Sequence, residues 1–183
     1  MSDNYKMDLD AIKRTPLSDI DIFRKLNGRI NVIMYSDLNK VNNIEDVMVD
    51  DSVVILYEKR RKNGHWVCLV RYLKKGVPTI EFFDSYGIFP DDEKKKIRDD
   101  FLVSSGQKYN KLAELLLRAS DRYRIEFNNY KLQKISPDIA TCGRHVIARI
   151  MNKHLDIDQF NKFMRSFKGL TPDDVASILS IFV

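Results

Sequence analysis

The sequence predicts an α+β fold in which a central mixed β-sheet is flanked by helices. Runs of β-branched and aromatic residues at 53–57, 65–72 and 79–83 follow one another in the middle of the chain, separated by turn-forming residues, as successive strands are. Helical patterns surround them. The clearest covers 141–151, where Val146, Ile147, Ile150 and Met151 recur at the spacing that buries one side of a helix. With 183 residues, 44% of them hydrophobic, and no repeat, low-complexity stretch or linker, the chain reads as one domain, 1–183, with a substantial core.

Each element follows in order. Residues 1–14 are polar and charged and read as a flexible N-terminal segment rather than a signal peptide. Thr15-Pro16 are expected as the N-cap and first residue of a helix that buries Leu17, Ile20, Phe23 and Leu26 and closes at Gly28. A strand is expected at 30–35, and Ser36 is expected to cap a short helix through Leu38 and Val41. Asn63-Gly64 predicts the tight turn of a hairpin between 53–57 and 65–72, next to the basic run Lys59-Arg60-Arg61-Lys62. The strand at 79–83 ends at Asp84-Ser85-Tyr86-Gly87. Two helical stretches follow, 91–103 and 111–120, the second rich in the helix formers leucine and alanine, and then a strand at 124–131. Ser136-Pro137-Asp138 forms a loop leading into the helix that starts at Cys142, and two further helices close the chain, with Thr171-Pro172 repeating the N-cap and first-residue signal.

Composition narrows the function. No run approaches the ~20 apolar residues of a membrane span. The net charge of +5 permits attraction to nucleic acid or to acidic protein surfaces without demanding either. Two cysteines, Cys68 and Cys142, make no disulfide framework and point to free thiols in a reducing compartment.

Cys142 is the candidate nucleophile, set against the plainer reading of a small buried core residue. A thiol at a helix start faces unpaired backbone N–H groups and the positive end of the helix dipole, which favour thiolate and supply donors for an oxyanion. Such a nucleophile needs a base, and the base needs an acid to hold its tautomer. His65 opens a strand beside Trp66, and Asp84 lies just past the end of the next antiparallel strand, so the two can meet at one sheet edge. His145, three residues after Cys142 on the same helix face, is a rival base, ranked second because no carboxylate is evident to orient it. His154 reads as a favourable charge at a helix C-terminus. A zinc site built from His65-x-x-Cys68 and Cys142-x-x-His145 conflicts with strand periodicity, because strand residues three apart point to opposite faces. No metal or cofactor is therefore expected, and Cys68 reads as a buried core residue.

Taken together, Gly64-His65-Trp66, Phe83-Asp84-Ser85-Tyr86-Gly87, Gln133 and Thr141-Cys142-Gly143-Arg144-His145-Val146 resemble the adenain and SUMO-protease superfamily of cysteine peptidases. Within it, the chain most resembles the adenain-like virion maturation proteases of large DNA viruses, virophages and Polinton-type elements. Residue types, order and intervals agree over 30–151, and the order His, Asp, Gln, Cys is itself unusual. The resemblance implies Cys142 as nucleophile, His65 as general base and acid, Asp84 as orienter of the imidazole and Gln133 as oxyanion donor, with Trp66 shielding the site. It further implies viral capsid or core precursors as substrates, cleavage next to small residues, especially glycine, and action in the virion and the viral factory of the host cytoplasm. Stimulation by DNA, as in adenain, or an acidic precursor segment, would engage the basic turn at 59–62. Two features depart from the pattern: Gln133 precedes Cys142 by nine residues, more than is usual in the SUMO-protease branch, and Asp84 replaces the Glu of adenain. The alternative is an isopeptidase that removes ubiquitin-like modifiers. That branch usually carries Asp-Cys-Gly where this chain has Thr141-Cys142-Gly143.

Overall fold

The computed structural model describes residues 8–183. Five strands, β1 (Asn31–Met34), β2 (Ser52–Arg60), β3 (Asn63–Lys74), β4 (Val77–Phe83) and β5 (Arg124–Phe127), form one sheet in chain order. The two outer pairs, β1–β2 and β4–β5, are parallel, whereas β2–β3 and β3–β4 are antiparallel, so the sheet is mixed and the fold is α+β, as the sequence predicts.

Strand alternation divides the core in two. Val54, Leu56, Trp66, Cys68, Val70 and Phe83 point to one face, where they meet α5 (Cys142–Met151), α6 (Ile157–Met164) and α7 (Pro172–Leu179). Val53, Ile55, Tyr57, Val67, Leu69 and Phe82 point to the other, against Leu112, Leu115 and Leu116 of α4 (Lys111–Ala119). Both faces are covered, so the central strands read as near-continuous apolar runs. The helix α5 lies across β3 with Val146, Ile147, Ala148 and Ile150 buried, each large side chain contributing about 1.5–3 kcal/mol of burial. Arg149 pins the same helix to the sheet. Its guanidinium donates to Glu81 at 2.8 and 2.7 Å, both side chains fully buried, and removing either partner would cost about 3–5 kcal/mol by stranding a charge.

Several local expectations are corrected. Residues 9–14 are not a flexible segment: Leu9–Arg14 is a helix, α1, that packs on α7 and is tied to it by Lys13 and Asp174 at 2.7 Å, while residues 1–7 lie outside the described residues. The next helix, α2 (Asp19–Lys25), is capped by Ser18, not Thr15, because Ser18 and Asp21 close a reciprocal capping box. Moving the start rotates the buried stripe. Ile22 is fully buried, while Ile20 and Phe23 are 55% and 45% exposed. The expected cap at Gly28 holds, with its N–H donating to Phe23 O at 2.9 Å. At 35–40 the chain forms a 3-10 turn, with Asp37 rather than Ser36 bonding the Met34 N–H at 2.9 Å.

The hairpin turn is at Arg61-Lys62, with Lys62 at φ 57°, and Asn63-Gly64 belongs to β3. Gly64 is required there for close approach: a Cβ would lie 1.8 Å from Tyr57 O. The helix expected over 91–103 is broken into a 3-10 turn, Asp92–Lys96, and α3 (Asp99–Ser104). Tertiary bonds win over helix continuity. Asp91 accepts from Tyr35 Oη at 2.5 Å and Ala113 N at 3.0 Å, and buried Lys94 donates to Tyr109 O at 2.7 Å. The strand β5 ends at Phe127 because Asn128 turns the chain, its side chain accepting from Tyr130 N at 2.9 Å and donating to Asp84 O at 2.6 Å.

Candidate functional site

The turn at Asn128 decides where the following loop runs. Past it, the backbone N–H groups of Leu132 and Gln133 both donate to Ser85 O at 2.9 Å, which hooks the segment before α5 onto the loop after β4. The end of β4, the start of β3 and the start of α5 thereby converge. They form a cleft of about 520 Å³ lined by His65, Gln133 and Cys142, with Pro16 and Leu17 among the residues of its wall and Arg60 and Lys62 reaching it from the hairpin.

His65 is buried on the cleft floor with Nε2 3.1 Å from Asp84 Oδ1, while Asp84 Oδ1 also accepts from Tyr86 N at 2.7 Å. The Tyr86 ring stacks on the imidazole at a centroid separation of 4.8 Å. With Nε2 facing Asp84, Nδ1 is the nitrogen free to meet the thiol. Burial alone would lower the pKa of His65, but the charge and hydrogen bond of Asp84, aided by Cys142, push it up to about 10. For Cys142, burial alone would raise the thiol, and its hydrogen bond to His65, the imidazolium charge and the backbone groups of Trp66 and Gly143 outweigh that and hold it below its usual value. Both shifts act in the direction of a thiolate–imidazolium pair.

Cys142 opens α5, is half-buried and lines the cleft. The other cysteine, Cys68, is fully enclosed in the core, where burial raises its thiol far above the usual range. Gln133 is buried, and its amide is oriented: Ser85 Oγ donates to Oε1 at 2.7 Å, which leaves the NH2 as the free, donating end. Trp66 is also buried, its indole N–H donating to Leu17 O at 3.0 Å and fixing the cleft wall.

All four residues singled out from the sequence, His65, Asp84, Gln133 and Cys142, come together. Sequence reasoning missed Ser85, Tyr86 and Glu93. The first two sit beside Asp84 in the chain, a signal available in principle. Glu93 has its carboxylate in a cluster with His65 and Asp84 whose ligating atoms all lie within 4.8 Å of one another, a metal-capable trio in which Lys59 and Lys96 hold the Glu93 oxygens at 2.7 and 2.8 Å. The rival base His145 does have a carboxylate, contrary to expectation: its Nε2 is 3.0 Å from Asp173 Oδ1. Asp173 comes from α7, too distant in sequence to be paired by pattern.

No family model matches the chain. It is 35% identical over 178 residues to "Uncharacterized protein V9" of Sputnik virophage, an alignment spanning 95% of this chain and 99% of the other. Among solved structures, it resembles that of ASFV pS273R protease with a TM-score of 0.48 at 14% identity, over 92% of this chain and 68% of that one. The Se-Met form of the same protease gives 0.48 at 12% identity, over 91% and 67%.

Proposed function

We propose that this chain, which belongs to the family of the Sputnik virophage protein V9, is a cysteine-type endopeptidase. The observation that carries the reading is geometric: a half-buried cysteine at a helix start shares one cleft with an imidazole that has Asp84 at its Nε2 and with an oriented glutamine amide. No other chemistry uses all four groups as economically.

Cys142 Sγ attacks the scissile carbonyl carbon, forming the C–S bond as the carbonyl π electrons move onto oxygen. Gln133 Nε2–H and the backbone N–H of Cys142 stabilise that oxyanion. The imidazolium of His65 then gives its proton to the departing amine as the C–N bond breaks, which leaves a thioester and a neutral imidazole. Neutral His65 takes a proton from water, whose oxygen attacks the thioester; collapse expels the thiolate and restores the starting pair. Asp84 and the Tyr86 ring keep the imidazole in one orientation throughout.

Viral structural precursors are the proposed substrates, cut during particle assembly in the virion and viral factory. The resemblance of the sequence to the adenain branch supports glycine and other small residues as the neighbours of the scissile bond, in a cleft that Trp66 helps to line. The test is a fluorogenic peptide library assayed with the wild type and Cys142→Ala, beside a probe carrying the C-terminus of a ubiquitin-like modifier. Turnover of glycine-containing peptides by the wild type alone supports the endopeptidase. Turnover confined to the modifier probe would replace it with an isopeptidase, and no turnover of either would end the hydrolase reading.

A further inference from the structure

The endopeptidase reading requires Gln133 and the first turn of α5 to hold a fixed separation, although the loop between them is long and lined by exposed residues. We infer that Asp173 is a positioning residue that sets this separation, bridging the Gln133 loop to the start of α5 from behind. One carboxylate spans the two walls. Its Oδ2 accepts from the backbone N–H of Lys134, the residue next to Gln133, at 3.0 Å. Its Oδ1 accepts from Thr141 Oγ1, the residue next to Cys142, at 2.5 Å and lies 3.0 Å from His145 Nε2 one turn into α5.

Three features show that Asp173 serves these walls rather than its own helix. The cap of α7 is complete without it, because Thr171 and Asp174 form the reciprocal capping box. Asp173 is only 4% exposed, and the three donors outweigh the burial that would otherwise raise its pKa, so it remains a carboxylate. Thr141, the N-cap of α5, makes no side-chain bond to its own first turn; its hydroxyl is turned to Asp173 instead. The leading N–H groups of α5 are therefore not consumed by their cap and stay available to an oxyanion.

His145 belongs to this bridge, not to the proton-transfer pair. Its Nε2 is engaged by Asp173 and its Nδ1 is buried without a partner, so it offers no nitrogen to the cleft. A residue acting through Gln133 differs measurably from one that merely supports the fold. Its loss should appear in kcat, should spare the thiolate, and should disappear when Gln133 is already gone.

The experiment is a double-mutant cycle of Asp173→Asn and Gln133→Ala, with kcat and KM measured on a glycine-containing fluorogenic peptide and the iodoacetamide rate of Cys142 measured in parallel. Asp173→Asn is expected to lower kcat roughly tenfold or more while KM stays within about twofold and alkylation within about threefold; in the Gln133→Ala background it should cost less than about twofold. Equal cost in both backgrounds, or alkylation falling in step with kcat, overturns the inference. Should Asp173→Asn fail to fold by thermal melt, Thr141→Val removes one arm of the bridge and takes its place in the same cycle, where the same results support or overturn the inference. A wild type that hydrolyses no peptide defeats the endopeptidase reading, and the bridge's role in it falls too; an active wild type with multiplicative variants defeats the bridge alone.

Discussion

Among the described residues there are two buried histidine–aspartate pairs of nearly equal length, His65–Asp84 at 3.1 Å and His145–Asp173 at 3.0 Å. His145 even sits in the same helix as Cys142. His65 lines the cleft together with Cys142, whereas His145 does not border it. The aspartates differ as well: Asp173 is occupied by two donors besides its histidine, whereas Asp84 Oδ1 receives one, from the Tyr86 backbone that also fixes the stacked ring. A carboxylate beside an imidazole therefore does not make a base. On the proposed mechanism, what sets His65 apart is that it shares the cleft with Cys142.

The largest test of this contrast is to delete each partner. Cys142→Ala and His65→Ala should each reduce kcat/KM by about 10³-fold or more, leaving background rates. His145→Ala should cost less than about tenfold, since it loosens one arm of the Asp173 bridge. Equal losses in the two histidine variants, both folded by circular dichroism, would erase the distinction. Gln133→Ala should lower kcat by roughly 10²-fold with little change in KM. Ser85→Ala should follow in the same direction with a smaller loss, because the amide is still present but no longer held NH2-outward.

The pH profile sharpens the comparison further. The imidazolium–thiolate pair exists above the depressed pKa of Cys142 and below that of His65, so alkylation and kcat/KM should both rise through the first, and kcat/KM, which also needs the imidazolium proton, should fall as pH approaches about 10. Because the folded-state value of His65 is raised, its charge stabilises the fold fully below about 6.5 and this contribution is lost as pH climbs through about 10. Asp84→Asn should reduce activity less than the nucleophile change and move the alkaline limb downward. An unmoved limb would mean that Asp84 does not hold the charge. Iodoacetamide should modify Cys142 well before Cys68 under native conditions, and mass spectrometry of the labelled peptides gives the order. The smallest effect is expected at the hairpin. Lys59 is engaged by Glu93, whereas Arg60, Arg61 and Lys62 have no ion-pair partner among the described residues. Their triple Ala variant should keep its basal rate and lose any stimulation that DNA gives at low ionic strength, a salt-sensitive effect readable by titration.

The parts legible in the sequence are those fixed by local chemistry. The periodicity of 146–151 revealed the buried helix, alternation revealed β2 to β4, and Thr171-Pro172 marked the start of α7. The misreadings share a cause. Ser18 displaced Thr15 because two caps competed and only one had an acid three residues on; Asn63-Gly64 looked like a turn although Gly64 serves an approach to Tyr57. The Asp91 to Val103 helix broke because Asp91 and Lys94 answer to Tyr35 and Tyr109, partners that no window on the chain contains. The candidate site divides in the same way. Its four principal residues carried a recognisable order, but the neighbours that complete their surroundings do so across the fold: Ser85 bonds the Gln133 amide, Glu93 clusters with His65 and Asp84, and Asp173 bonds the residues beside Gln133 and Cys142.

The stitching of the N-terminal segment to the nucleophile's surroundings has a consequence for biosynthesis. Ala140 N donates to Lys13 O at 2.7 Å, Arg144 to Thr15 O at 3.2 Å and Trp66 to Leu17 O at 3.0 Å, so the first-made wall of the cleft finds two of its three anchors in residues translated late. A ribosome delivers residues in order at about 5–20 per second, and His65 and Asp84 emerge well before Cys142 and its Asp173 brace. Nascent chains thus lack both nucleophile and mould until synthesis is well advanced. On the endopeptidase reading, the cleft stays incomplete until Cys142 and Asp173 have both emerged.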